Sequence, residues 1–264
     1  MKNKVSIKIQ GGIGNNLFQI ACACAYSFRH DRELILSNDK FGITHNSLDT
    51  YKSNFLIEFD FVEKYNVSKF KNYNEPFFHY QEIPKIEGDV YLNGYYQSEK
   101  YFLDFENEIR ELFWPPAEIG NVIREKYKEL LNKNICSVHI RRGDYLKFPD
   151  HHPVQSINYY MKAIRTMSED SIFLIFSDDI NWCKQNFPNI EEKFVFIEGN
   201  KDYEDLLLMS LCKNNIIANS SFSWWGAWLN DNIDKKVVAP SKWFGSTNSN
   251  NNTVDLYCKN WNII

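Results

Sequence analysis

Glycine is scarce in this chain: 11 in 264 residues, about 4% where about 7% is usual. Three of the 11 still fall together, at Gly11, Gly12 and Gly14, so that turn needs glycine for its backbone geometry. A Cys-x-x-Cys is missing. The six cysteines are widely spaced apart from Cys22 and Cys24, which excludes a zinc site and reads as small buried hydrophobes in a reducing compartment. No run approaches about 18 apolar residues, so no transmembrane helix is expected. The opening MKNKVSIKIQ is too short and interrupted for a signal peptide. No charge sign dominates, with 30 Lys+Arg against 34 Asp+Glu and a formal net charge of −4. Without a basic stripe, nucleic acid is not an expected partner. An aromatic content of 16% excludes disorder. What is left is a cytoplasmic globular protein of one large or two ordinary domains.

The pattern along the chain is strand, turn, helix. Val5 to Ile9 alternates apolar and polar, the glycines follow, and Asn15 to Phe28 has helical character. Leu34–Leu36 and Val90–Leu92 are further strands. Residues 40–88, rich in Tyr, Phe and Asn, are expected to form loops and short helices. Helical patterns at Asp104–Phe113 and Ile119–Leu131 are separated by Trp114-Pro115-Pro116. From Ile135 onward strands and helices alternate: strands at Ile135–Ile140, Ile172–Phe176, Phe194–Ile197, Ile216–Ala218 and Lys236–Ala239, and helices at Ile157–Thr166, Asp179–Phe187, Tyr203–Cys212 and Trp224–Asn230. Such alternation implies a mostly parallel sheet covered on both faces. The expected architecture is α/β, with two units, 1–133 and 134–264.

Four segments carry candidate chemistry. Gly11-Gly12-Ile13-Gly14-Asn15 lies at the carboxyl end of a strand, where open α/β sheets bind ligands, although its spacing is not G-x-G-x-x-G. Asn15 and Gln19 sit one helical turn apart, so both amides can face one cleft, with Gly14 beside them; Phe18 and Cys22 pack inward. The turn also reads as a plain βα connection that needs glycine. In His139-Ile140-Arg141-Arg142-Gly143-Asp144, His139 and Arg141 point to one face and Ile140 and Arg142 to the other. Arginines ending an apolar strand suit a phosphate or pyrophosphate; an interdomain salt bridge is the alternative. Ser177-Asp178-Asp179 offers helix-capping groups or a carboxylate for a guanine edge. In Ser220-Ser221-Phe222-Ser223-Trp224-Trp225-Gly226-Ala227-Trp228, hydroxyls and free N–H groups at a helix start form an anion site, or simply cap the helix. The tryptophans read as core packing, with Gly226 allowing close approach.

Taken together these segments resemble the α-1,2-fucosyltransferase family, glycosyltransferase family 11. The stretches are IQGGIGNNLFQIACACAYS at 9–27, VHIRRGDYL at 138–146, HHPVQSINYYMKAI at 151–164, FSDD-x-x-W at 176–182 and DLLLMSLCKNNIIANSSFSWWGAWL at 205–229. They follow the family's order through most of the chain, with Asn16 standing where many members have Gln. The resemblance implies two Rossmann-like domains facing a cleft (GT-B type), the first on the acceptor side and the second binding a GDP-sugar. It implies transfer of L-fucose from GDP-β-L-fucose, with inversion and no metal, to the 2-hydroxyl of a galactose-terminated oligosaccharide or glycolipid. Arg141 would contact the β-phosphate, with Arg142 on the same donor. His139 and Asp178 would meet the guanosine, Ser221, Phe222 and Ser223 the pyrophosphate side, and Asn15 would reach across from the first domain. Golgi members of the family carry an N-terminal anchor. This chain opens on its first strand and is expected to be a soluble bacterial-type member, at most peripheral to a membrane.

The chemistry of the residues agrees. Breaking a sugar–phosphate bond leaves a charged pyrophosphate, and two arginines with a helix N-terminus can stabilise it. Inversion calls for a proton acceptor, and Asp144 is the carboxylate nearest the arginines, although it also reads as a salt bridge orienting Arg142. Other readings are a transferase using another nucleotide sugar or linkage, a dinucleotide-dependent oxidoreductase, and a non-catalytic carbohydrate-binding protein. The first suits the same motifs. The second lacks its glycine spacing, and the third leaves the arginines unexplained.

Overall fold

The computed structural model describes residues 2–37, 48–188 and 193–264. The stretch 40–47, within the segment expected to be irregular, lies outside these. The chain divides into two compact units. One comprises residues up to Pro116 with Asn251–Cys258, and the other Ala117–Asn250 with Lys259–Ile264.

The first unit is built on five parallel strands: β1 (Lys4–Ile7), β2 (Glu33–Ser37), β3 (Phe61–Val62), β4 (Lys71–Asn74) and β5 (Val90–Asn93), in the order β3-β2-β1-β5-β4. Helix α1 (Ile13–Arg29) follows β1 directly, and its side chains are buried almost all round. Alanines and cysteines at 21–25 keep it thin enough to sink between sheet and neighbours. The short α2 (Leu48–Lys52) and α3 (Glu106–Leu112) complete the unit. Two strands arise where loops and short helices were expected. β4, KNYN, is a polar edge strand with three of four side chains exposed, so it has no apolar alternation to announce it. β3 has two residues.

The second unit contains six parallel strands: β6 (Ile135–Ile140), β7 (Ile172–Ser177), β8 (Phe194–Phe196), β9 (Asn214–Ile216), β10 (Val237–Ala239) and β11 (Asn262–Ile263), in the order β11-β10-β9-β6-β7-β8. All six residues of β6 are buried. Helices α4 (Ala117–Lys126), α5 (Lys128–Leu131), α6 (Ile157–Ile164), α7 (Ile180–Asn186), α8 (Asp202–Ser210) and α9 (Ser221–Trp228) accompany the sheet. One core holds Val138 and Ile140 with Tyr160, Cys183 and Phe187. The other holds Phe176 with Leu207, Leu208 and Ile123. Ile123 on α4 therefore ties residues 117–133 to the second sheet, whereas the sequence had grouped them with the first. The hydrophobic stripe of a helix shows which face is buried, not which sheet buries it.

Five cysteines are buried, Cys258 is half-buried, and none is in a disulfide. Among the described residues no helix is long and apolar enough to cross a membrane.

Candidate active site

In the second unit the carboxyl end of β6 gathers the charged side chains. Backbone alternation sends His139 and Arg142 to opposite faces, as expected. The His139 ring lies 5.4 Å from Phe222 at the start of α9, while Arg142 lies over the Trp182 ring of α7 at 3.8 Å. Arg142 Nε also donates to Asp179 Oδ2 at 3.0 Å. Its guanidinium is thus packed into the β7–α7 connection, and its geometry is that of a clamp rather than of an open phosphate ligand. Asp179 caps α7 as well, accepting from the Trp182 N–H at 3.3 Å, so the capping reading holds for this residue.

Arg141 is arranged differently. Its Nη2 donates to Asp144 Oδ1 at 2.7 Å and its Nη1 pairs with Asp178 Oδ2 at 3.0 Å, with 19% of the side chain exposed. It lies 5.5 Å from the Tyr145 ring centre, and Tyr145 is itself fixed by its hydroxyl donating to the Asn219 carbonyl at 2.9 Å. Asp178 Oδ1 accepts the Arg142 backbone N–H at 2.9 Å. One carboxylate therefore braces both the turn after β6 and the Arg141 guanidinium. Gly143 makes this possible, because a Cβ there would stand 2.5 Å from Asp178 Oδ2. Asp144 pairs with Arg141 rather than Arg142, and the salt bridge supports an orienting role for it more than a proton-accepting one.

His139 is 5% exposed, and its Nδ1 is buried without a hydrogen-bond partner. Burial, and after it the charge of Arg141, lowers its pKa from 6.5 to about 3. The imidazole is therefore neutral and leaves one buried ring nitrogen without a hydrogen-bond partner. A depressed pKa also sets a pH dependence. The contribution of neutral His139 to folding is complete above 6.5 and is lost as pH falls from there towards 3. Thermal unfolding of the unaltered chain and of His139→Asn, compared from pH 7 to pH 4, should show the steeper acid loss in the unaltered chain. Parallel curves would mean that His139 is not held neutral.

Helix α9 begins at Ser221, three residues before the expected start, with Ser220 at its N-cap and no side-chain capping bond from it. Ser223 Oγ donates back to the Ser220 carbonyl at 3.3 Å. Phe222 is half-buried beside His139. Ser221, Phe222 and Ser223 thus open one helix against the end of β6. Trp224, Trp225 and Trp228 are core residues, with at most 2% exposure, and Gly226 lets Met209 of α8 approach, where a Cβ would stand 2.9 Å from the Met209 Cβ.

In the first unit the glycine turn is built around amides. Gly11 has φ +82°, and a Cβ there would strike Asn15 Nδ2 at 2.5 Å, so glycine is required at this position on both counts. Gln19 is fully buried. It accepts the Gln10 N–H at 3.0 Å and donates to the Gly94 carbonyl at 3.2 Å. It ties the turn to β5 instead of lining a cleft, and Gly14 is buried in the same helix start. Asn15 is half-buried, its Oδ1 accepting from Gln97 Nε2 at 2.8 Å. Sequence reasoning missed a further polar group at this end. Glu75, immediately after β4, accepts the backbone N–H groups of Tyr95 at 2.7 Å and Tyr96 at 3.0 Å. A lone glutamate in a polar stretch carries no signal until β4 is placed beside β5.

The glycosyl transferase family 11 model matches residues 3–264. Among curated proteins, the chain is 31% identical to the O-antigen biosynthesis glycosyltransferase WbnK of Escherichia coli, covering 94% of this chain and 98% of that one. It is 33% identical to an α-1,2-colitosyltransferase of Escherichia coli, covering 91% and 92%. Among solved structures, the NodZ α-1,6-fucosyltransferase soaked with GDP-fucose superposes with a TM-score of 0.56 at 14% identity, over 87% of this chain and 93% of that one; this likeness concerns the fold. A family match along nearly the whole sequence, two relatives above 30% identity over more than nine-tenths of each chain, and the arginine, histidine and serine segments gathered around β6 together make the chain a member of glycosyl transferase family 11.

Proposed function

We propose that this chain is an inverting transferase that moves L-fucose from GDP-β-L-fucose to the 2-hydroxyl of a terminal galactose, without a metal cofactor. In this reading the two sheets belong to Rossmann-like domains facing a cleft (GT-B type), the first receiving the acceptor and the second the GDP-sugar. The carrying observation is Arg141, a guanidinium oriented by Asp144 and Asp178 at the end of a fully buried central strand. As the bond between the sugar's anomeric carbon and the β-phosphate oxygen breaks, its electron pair stays on GDP. Arg141 and the first N–H groups of α9, with Ser221 and Ser223, stabilise that charge. Neutral His139 and the flanking Phe222 receive the guanosine, with Asp178 beside them, and Asn15 serves from the first domain.

A second reading has its own support. The α-1,2-colitosyltransferase relative supports a donor sugar other than fucose, with the same linkage. The O-antigen relative supports a surface glycan or its lipid-linked precursor as acceptor. Both readings are tested by incubating the purified protein with GDP-fucose, other GDP-sugars and UDP-sugars, with and without EDTA, and with β-galactosides. GDP release from GDP-fucose that requires a galactoside and survives EDTA supports the first reading. Release only from another GDP-sugar supports the second, and binding of NAD without GDP removes both.

Asp144 has a separate test. As an orienting group, Asp144→Asn should lower turnover only a few-fold and leave the pH profile in shape, because Asp178 still holds the guanidinium. Loss of the pH dependence in this variant would return the proton-accepting role to Asp144.

A further inference from the structure

The carboxyl end of the first sheet, where parallel sheets bind ligands, carries aromatic rings exposed to water. β4 and β5 are parallel neighbours with Asn74 opposite Asn93, and each runs on into a loop, 75–80 after β4 and 94–98 after β5. Phe77 in the first loop is 53% exposed and Tyr95 in the second 41%. The Phe77 ring is stacked on His79, with centroids 4.9 Å apart and planes 15° from parallel. Where the strands end, Asn93 Nδ2 donates to Asn74 Oδ1 at 2.8 Å, an exposed amide pair. Both loops are fixed. Glu75 accepts the N–H groups of Tyr95 at 2.7 Å and Tyr96 at 3.0 Å, and a Cβ on Gly94 would collide with its side chain. At the end of the first loop the Tyr80 N–H donates to Asp255 Oδ2 at 3.0 Å, and the Tyr80 ring meets Tyr101 edge-on at 4.9 Å. In the second, Tyr96 is fully buried with φ +51°, a left-handed conformation that a tyrosine adopts only under constraint. Gln97 then donates to Asn15 at 2.8 Å. Rings left in water contribute little to folding, yet the backbone beneath them is pinned, and strained at Tyr96. Exposed apolar surface on a rigid, strained frame is what a pre-organised binding surface requires.

We propose that Asn74, Phe77, His79, Asn93 and Tyr95 form a binding surface for a neutral hexopyranose of the galactose type, the terminal sugar of the acceptor. The choice of acceptor sugar rests on the transferase reading above, and the surface itself lies wholly in the first unit. Rings and amides suit the two kinds of surface on a pyranose. An aromatic face is negative and attracts the sugar's weakly positive C–H bonds while covering its apolar side. Amides offer both donors and acceptors to its hydroxyls. Such a mixture, apolar with a few placed polar groups, is what small-molecule sites use. The stereochemistry selects among hexoses. With its 4-hydroxyl axial, galactose turns the C–H bonds of carbons 3, 4 and 5 to one side, as a continuous apolar patch. In glucose the C–H bond of carbon 4 points to the other side and the patch is interrupted. The rings therefore favour galactose.

The test reads the sugar directly, in the full chain with GDP present. In saturation-transfer NMR with methyl β-galactoside, irradiating the aromatic protons should reach the sugar protons on carbons 3, 4 and 5. The effect should fade in Phe77→Ala and in Tyr95→Ala. Methyl β-glucoside should bind about fivefold more weakly, the scale of an aromatic contact. In transfer assays with whichever nucleotide sugar the donor panel supports, each alanine variant should raise the galactoside KM about five- to tenfold with kcat and GDP affinity nearly unchanged. Phe77→Tyr and Tyr95→Trp, which keep a ring, should restore the KM. Both positions are exposed, so the variants should keep the thermal midpoint of the unaltered chain. Saturation transfer and KM unchanged in both alanine variants overturn the assignment, and so does a loss that the ring-keeping variants fail to restore. Absence of transfer with every nucleotide sugar is a different failure, which overturns the transferase reading. The NMR arm then decides this assignment: ring-dependent contact with the galactoside upholds the sugar site, and its absence removes it.

Discussion

Replacing Arg141 by alanine is expected to lower kcat by about two orders of magnitude, on the order of 3 kcal/mol in the barrier, the loss typical of removing a strong oxyanion donor. The size follows from the site. Arg141 lies at the end of a strand with no exposed residue and keeps only 19% of its side chain accessible. In the proposed reaction it would act in a partly desolvated setting, where charge on a departing pyrophosphate interacts more strongly than in water. Its partners pre-set its direction, Asp144 on Nη2 and Asp178 on Nη1, so little reorganisation is left for the moment of bond cleavage. Lysine should not restore the rate, because a point charge does not reproduce a planar fork held on two sides. The measurement is kcat for sugar transfer alongside the dissociation constant for GDP. A fall below tenfold, with the variant folded, would remove Arg141 from the transition state. A change in GDP affinity alone would make it a ground-state ligand.

Trp224→Ala is expected to cost about 3–5 kcal/mol of folding stability, the range for truncating a large buried aromatic side chain. Trp224 has no exposed surface. Its ring is 5.2 Å from Trp225, 6.3 Å from Trp228 in a stacked arrangement and 5.4 Å from Trp261. Trp261 belongs to the last stretch of chain, which returns to the second unit after residues 251–258 have joined the first. The variant therefore loses a core ring and weakens the docking of β11 at the sheet edge. Against a typical total of about 5–15 kcal/mol, this leaves little margin. Urea unfolding of both proteins measures it. A loss under about 1 kcal/mol combined with a raised KM would show that Trp224 stacks on a ligand instead.

Much of this architecture is legible from local pattern. β6 is an apolar run that ends in charge, and α1 follows a glycine turn. The alternation of strand and helix after Ile135 gives a parallel sheet. These features depend on residues a few positions apart, and burial imposes periods of 2 and 3.6 on them. The segments that escaped lack such periods. β4 is polar because it is an edge, and β11 is two exposed residues at the far edge of the other sheet. The exchange of the chain end is equally silent. Asp255 is bound to Lys100 at 2.5 Å and to the Tyr80 N–H at 3.0 Å, partners more than 150 residues earlier.

The sequence by itself determined the family, the parallel α/β character of the second half, and which residue types crowd the end of β6. The tertiary structure decided what each of them is free to do. Two adjacent arginines look alike in the sequence. The structure puts one on Trp182 and Asp179 as a clamp, and holds the other between Asp144 and Asp178 at the strand end. Gln19, a candidate for a cleft, is tied to β5, while Glu75, unremarked in the sequence, sits in a loop shaped for it. The physical reason is the same in each case. Side-chain partners are chosen by strand order and register across long sequence separations, and a buried polar group has the role its partners leave to it.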